Sequence, residues 1–390
     1  MTGEIVSSYL ELGLRLGRHV EGLVDSYYGP AELKQRVDTE ELHDPGALAS
    51  TAAALRESLG EAGFAQSRER WLRAQLVGLE TVARKVAGEE ISYEQEVERC
   101  YGVRPQRAPE EQFEAAHGAL DEALPGGGAL AERYQAWREE NAIQDDAVGR
   151  VIDGLAADLR DRTRALFGLP EGEGVELEYV SDEPWAAYNY YLGGLRSRIA
   201  FNVDRPHTPY FVAVTVPHET YPGHHAEHAW KEQLLVRERG QAEESIILIG
   251  TPQNMLSEGI AVLGLEILVG DEEENLMASH LAGAGVDYDP ELARAIKRAR
   301  APLERVQGNA ALMLHAEGGT EDEAHAYLMR WGLASPQRAS HQLQFILDPI
   351  WRAYVTTYAD GYQLCSDFVQ GDPLRFKQLL TEQLTPADLV

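Results

Sequence analysis

Two cysteines in 390 residues, Cys100 and Cys365, are too few for a disulfide framework, and they form no Cys-x-x-Cys pair. Sulfur is therefore not the expected metal ligand, and both thiols read as small buried hydrophobes. Positive charge is scarce as well: 35 Lys and Arg stand against 64 Asp and Glu, a net charge of −29. Such a surface repels phosphate backbones and anionic lipid, so neither nucleic acid nor a membrane is an expected partner, whereas cations are drawn in. No stretch approaches the roughly 20 apolar residues of a membrane span, and the segment from Met1 lacks a basic start followed by an apolar run. A cytoplasmic protein is the expectation. No period of 20–50 residues recurs, which leaves a solenoid unsupported.

What is present is an ordinary globular composition, 44% hydrophobic and 25% charged. The first third reads as amphipathic helices. Tyr9, Leu12, Leu16 and Val20 keep helical spacing, as do Trp71, Leu72, Leu76, Leu79 and Val82. Further helical patterns cover roughly 92–101, 109–122, 129–141 and 145–167. Leu124-Pro125-Gly126-Gly127-Gly128 is the strongest punctuation in the chain. It divides an N-terminal helical lobe, 1–123, from a second region, 124–390, although the two can form one continuous domain. After Gly168-Leu169-Pro170 the period falls to two: Val175–Val180 and Arg198–Val203 alternate apolar and polar, with the aromatic run Tyr188-Asn189-Tyr190-Tyr191 between them. A small antiparallel sheet within 175–205 is expected, followed by helices to the C-terminus. The fold class is mainly α.

Chemistry concentrates in His218-Glu219-Thr220-Tyr221-Pro222-Gly223-His224-His225, with His228 close behind, so four of the twelve histidines fall within eleven positions. Neutral imidazole is the commonest protein ligand for zinc, and a Glu beside a ligating His is the usual base of a zinc hydrolase. The zincin motif HExxH needs its second His at i+4, where both rings share a helix face. Here that position is Pro222. On an unbroken helix His225, at i+7, would lie about 10 Å further along, too far to share an ion. Proline excludes the unbroken helix, so Thr220-Tyr221-Pro222 reads as a bulged turn returning His224 or His225 to His218. His224 and His228 form a competing i, i+4 pair. Downstream, Glu258 begins a strongly apolar helix; it is either a third ligand or a first-turn acid favoured by the helix dipole.

HETYPGHH followed by SEGIA resembles the pattern HExxPGHH…EGxA of the domain-of-unknown-function 885 family, grouped with gluzincin-type metallopeptidases beside the thermostable carboxypeptidases and oligopeptidases. Leu314-His315 and Tyr358-Ala359-Asp360-Gly361 resemble further elements of that family. The resemblance implies a zincin (gluzincin-like) fold with the sheet beside the active-site helices. It implies Zn²⁺ held by His218, His224 and Glu258, with His225 beside the metal shell or facing substrate. Glu219 would be the general base, and His315 and Tyr358 the donors to the tetrahedral intermediate. The chain departs from the family form at Ile260, where an aromatic is common, and at Glu266, one place off a later acidic position.

The expected activity is zinc-dependent hydrolysis of peptide or amide bonds in small peptides, as a carboxypeptidase or oligopeptidase. A non-catalytic metal-binding scaffold is the alternative, and iron or manganese also suits a two-His-one-carboxylate set. Tyr188, Tyr190 and Tyr191 are candidates to line the cleft, and Arg196 and Arg198 to grip a substrate carboxylate.

Overall fold

A computed structural model of the chain describes residues 2–140, 142, 143, 145–183, 185–204 and 207–390. Asn141, Pro184 and Arg205, inside the expected helical and sheet segments, lie outside the described residues. The protein is mainly helical, 68% of residues, with two small sheets.

The helical periods of the first third translate into buried stripes. Helix Thr2–Gly17 buries Tyr9, Leu12 and Leu16, and helix Gln66–Val86 buries Trp71, Leu72, Leu76 and Leu79. Helix Pro45–Ser58 starts on a regular N-cap, the Asp44 carboxylate accepting from the Ala47 N–H with Pro45 following. These helices share one core with Ile246 and Leu248, because strand β1 (Val24–Tyr27) pairs antiparallel with a short strand after the histidine segment. A second core joins Tyr93, Val97 and Phe113 to Val306, Leu328 and Ala353, so the N-terminal helices pack on the C-terminal ones.

The larger sheet corrects the expected topology. Strands β2 (Gly174–Val180), β3 (Ala187–Gly193) and β4 (Arg196–Asn202) lie in the order β2-β4-β3, and β5 (Ile246–Leu248) is the partner of β1. β3 and β4 form an antiparallel hairpin, whereas β2 runs parallel to β4, from Gly174 opposite Arg196 to Val180 opposite Asn202. The sheet is therefore mixed rather than antiparallel, and the aromatic run is its third strand. Period-two alternation marks strands but carries no direction, which is set here by the hairpin turn and by the crossover from β2. Buried Glu232 fixes that turn: its carboxylate accepts from the Gly194 and Leu195 N–H groups, each at 3.1 Å, and from the Tyr191 hydroxyl at 2.6 Å.

Following β5, helix Pro252–Val269 is buried nearly all round and crosses helix Thr356–Val369 at very close range. A Cβ on Gly259 would lie 2.3 Å from the Gly361 carbonyl oxygen, and one on Gly361 would lie 2.5 Å from that of Met255. Only glycine at both positions permits this approach. Among the described residues, no helix is long and apolar enough to cross a membrane.

Candidate metal centre

The histidine segment folds as two helices joined by a sharp return. Helix Pro209–Glu219 starts on the Thr208 cap and carries His218 and Glu219 on its last turn. Its direction is broken by the cis peptide Tyr221–Pro222, and helix His224–Lys231 then begins with Gly223 as N-cap. The return is held by the Gly223 N–H donating to the Pro217 carbonyl at 3.1 Å and by the Ala226 N–H donating to Thr220 at 3.3 Å. Gly223 has no room for a side chain: a Cβ would lie 2.0 Å from the His218 carbonyl oxygen. That contact explains the glycine before His224. The backbone of one half of the motif lies directly against the other.

The return brings the His224 and His218 Nε2 atoms 3.1 Å apart. Glu258 completes a triangle, with Oε2 at 3.4 Å from His218 Nε2 and Oε1 at 3.4 Å from His224 Nε2. A tetrahedral zinc with bonds of about 2.1 Å separates its ligand atoms by about 3.4 Å. Glu258 Oε2 is buried and accepts no hydrogen bond, an orphaned acceptor of the kind a cation satisfies. Donor types, separations and the orphaned oxygen all fit a divalent metal, and these three are the potential metal group found among the described residues.

The surrounding contacts orient each ligand. His224 Nδ1 lies 3.2 Å from the Ser257 hydroxyl, which donates to Glu227 Oε2 at 2.6 Å; the Lys231 ammonium donates to the other oxygen of Glu227. Glu258 Oε1 accepts from the Tyr354 hydroxyl at 2.6 Å. Electrostatics favour positive charge at this point. Burial alone would depress the His224 imidazole, but Glu258 and Glu219 overcome it and lift the group to about 9. Burial would likewise raise Glu258, yet His224 and His218 hold its carboxyl well below the usual range.

Glu219 lies beside the cluster with its main-chain carbonyl anchored by the Asn189 side chain of β3 at 2.7 Å. Burial raises its carboxyl above the ordinary value, with His218 and His224 opposing and Glu258 reinforcing. Tyr358 is 40% exposed, yet burial in the surrounding protein, followed by Glu258 and Glu219, raises its hydroxyl. Its ring meets that of Tyr354 edge-on, with centres 5.7 Å apart. His315 lies elsewhere. Its Nε2 is engaged by the Ile346 carbonyl at 2.6 Å, its ring stacks on Tyr93, and the charged groups acting on it are Arg352, Glu96 and Lys85.

The remaining candidates separate by their partners. His225 is fully buried, between the Ser197 hydroxyl at 2.8 Å and the Glu173 carboxylate at 3.1 Å, and points away from the cluster into the sheet. His228 stacks parallel on His224 at 5.8 Å, and burial holds its imidazole down at about 3. Tyr191 is tied to Glu232, whereas Tyr188 and Tyr190 lie on the other face of β3 with ring centres 4.6 Å apart. Arg198 lies over the Tyr190 ring and pairs with Glu178 at 3.5 Å, while Arg196 is exposed. Ile260 is a core residue, and Glu266 accepts from the Tyr362 hydroxyl at 2.8 Å.

Three residues at this site have no counterpart in the motif reading. Tyr354 stands one helical turn before Tyr358. Asn189 sits inside the tyrosine run. Asp25 comes from β1, where the Tyr188 hydroxyl donates to it and His224, Glu219 and Glu258 all act on its carboxyl, which burial raises. Only the first two carried a signal, through their aromatic and strand contexts.

No family model matches the chain, and no curated protein matches it; the resemblance to the domain-of-unknown-function 885 family rests on the motifs themselves. Solved structures do align. A candidate lipoprotein from Colwellia psychrerythraea aligns over 88% of this chain and 65% of its own, at 14% identity and a TM-score of 0.51. A candidate lipoprotein of unknown function from Shewanella oneidensis covers 96% and 76%, at 12% identity and 0.49. The M32 carboxypeptidase from Deinococcus radiodurans R1 covers 99% and 93%, at 16% identity and 0.38. The chain spans about 65% of the length of the first of these. That likeness is one of fold, and it brings no residue role to this chain.

Proposed function

We propose that this chain is a zincin-type metal-dependent hydrolase of peptide or amide bonds, with zinc held by His218, His224 and Glu258. The observation that carries the reading is the triangle of donor atoms 3.1 to 3.4 Å apart around a buried, unpartnered carboxylate oxygen. Zinc at such a site supplies a Lewis acid and an acidified water at neutral pH.

The chain's own residues do the rest. Glu219 is the base. Its carboxylate accepts no hydrogen bond from any described residue, and its place beside the ligand His218 on the same helical turn suits it to take a proton from water and return it to a leaving amine. Tyr354 fixes the Glu258 carboxylate. Tyr358, on whose hydroxyl Glu258 and Glu219 both act, is the donor to a developing oxyanion. His315, with Nε2 engaged by a carbonyl, contributes through packing on Tyr93. Short peptides or related amides are the substrate class, cleaved as by a carboxypeptidase or oligopeptidase. Residues 1–123 act as a lobe beside the metal cluster, a role supported by Asp25 reaching Tyr188.

A non-catalytic metal-binding protein is the second reading. The free Glu219 carboxylate favours the enzyme, because a structural site has no use for a base and is usually closed by four protein ligands. The test is Glu219→Gln on a library of short peptides. The variant should keep its metal and lose on the order of 10²–10⁴-fold in cleavage rate; cleavage equal to the parent's would refute the assignment.

A further inference from the structure

A polar recess lined by none of the metal-cluster residues lies where helices Leu130–Glu140, Val306–His315 and Pro336–Leu347 meet. It has a volume of about 60 Å³ and is lined by Arg138, Arg300 and Arg338 with Tyr134, Gln342 and Glu304 among others. A water needs about 10–15 Å³ on this measure, so the space suits roughly four waters or one small polyatomic group. Glu304 is the single carboxylate of the lining, and it is paired with Arg300 at 2.7 Å. Among the described residues, Arg138 and Arg338 have no carboxylate partner. Arg138 lies over the Tyr134 ring at 5.9 Å and Arg338 is exposed, yet two guanidinium groups without a carboxylate at one recess are unusual in a chain of net charge −29.

Two buried polar atoms here have no hydrogen-bond partner: Arg138 Nε and Gln342 Oε1. Unsatisfied buried groups in one recess call for a bound species. A half-turn of the Gln342 amide would offer its N–H₂ to that species. Arg338 sits in the first turn of helix Pro336–Leu347, the end at which a cation is disfavoured and an anion favoured. Burial, then the like charges of Arg338 and Arg300, disfavours the charged Arg138. An anion would reverse all of these penalties together.

We propose that this recess is a binding site for a small oxyanion, a phosphoryl or carboxylate group gripped by Arg138 and Arg338, with Arg300 and Gln342 completing the shell. Planar guanidinium forks suit both groups. The site is independent of the metal reading. It is nonetheless linked to the same helix, since Arg300 donates to the Tyr210 hydroxyl near the start of helix Pro209–Glu219, whose last turn bears His218.

The test is calorimetric titration and thermal unfolding of the full chain with inorganic phosphate, with acetate as a second arm and chloride at matched ionic strength as control. Saturable binding of phosphate or acetate at one site, weakened at least tenfold in both Arg138→Gln and Arg338→Gln, is the expected result. The arm that binds identifies the group. In anion-free buffer Arg338→Gln should melt no lower than the parent, because it removes repulsion; a purely structural arginine would give the opposite. Binding must persist in a His218→Ala background. No saturable binding in either arm, equal affinity in the arginine variants, or loss of binding in His218→Ala would overturn the proposal.

Discussion

The Tyr354 hydroxyl donates to Glu258 Oε1 at 2.6 Å while the other carboxylate oxygen stays without a hydrogen bond, 3.4 Å from His218 Nε2. The two oxygens of one side chain thus have different tasks. Oε1 is fixed by a tyrosine from a neighbouring helix and faces His224 Nε2 at 3.4 Å, and Oε2, without a hydrogen bond, faces His218.

Removing that fixing bond should loosen the ligand without emptying the core, since Tyr354→Phe keeps the ring packed against Tyr101 and Tyr358. Outer contacts of this kind are worth about 10–100-fold in metal affinity. Tyr354→Phe is therefore expected to bind zinc roughly tenfold or more weakly by competition with a chromophoric chelator, with its melting temperature in the presence of excess zinc close to the parent's.

Gly223 gives a sharper test of the return between the two halves of the motif. In Gly223→Ala the added Cβ meets backbone at 2.0 Å, so His218 and His224 must move apart. The variant should fail to hold stoichiometric metal and lose at least about 3 kcal/mol in urea unfolding, the upper range of overpacking costs. Ser257→Ala, which leaves the backbone alone, should cost far less stability.

Glu244 supplies a pH signature unrelated to the metal. Its carboxyl is buried, with one oxygen unpartnered, and burial raises it to about 7 despite Lys231. A folded-state value above the unfolded value near 4.5 means full stability below about pH 4.5 and loss as pH rises through 7. The shift is about 2.5 units, or about 3 kcal/mol. Glu244→Gln should accordingly be more stable than the parent above pH 7, by up to about 3 kcal/mol, with the gap closing towards pH 5. Paired urea titrations at pH 5 and 8 measure it.

Much of this site was legible because the relevant signals are local. The helical stripes of Thr2–Gly17 and Gln66–Val86 follow from spacing, and Pro222 with Gly223 marks a return in the sequence itself. Long-range relations were not legible. Parallel pairing of β2 with β4 depends on a crossover that alternation does not encode. Asp25 comes to the site from β1 and is hydrogen-bonded there by Tyr188, 163 positions away. The tyrosine that touches Glu258 is Tyr354, whereas the motif points to Tyr358, one turn along; spacing does not say which of the two meets the carboxylate. His315 illustrates the converse, since a Leu-His pair on an apolar helix finds its partner in a carbonyl.

The most direct measurement is the metal content of purified protein and of His224→Ala, by inductively coupled plasma mass spectrometry after exchange into metal-free buffer. One equivalent of zinc per chain in the parent, and less than about a tenth of that in the variant, is the expected result, since losing one of three protein ligands should cost well over tenfold in affinity. A parent without stoichiometric metal, or a His224→Ala variant that holds as much as the parent, would contradict the assignment of His218, His224 and Glu258 as a metal centre.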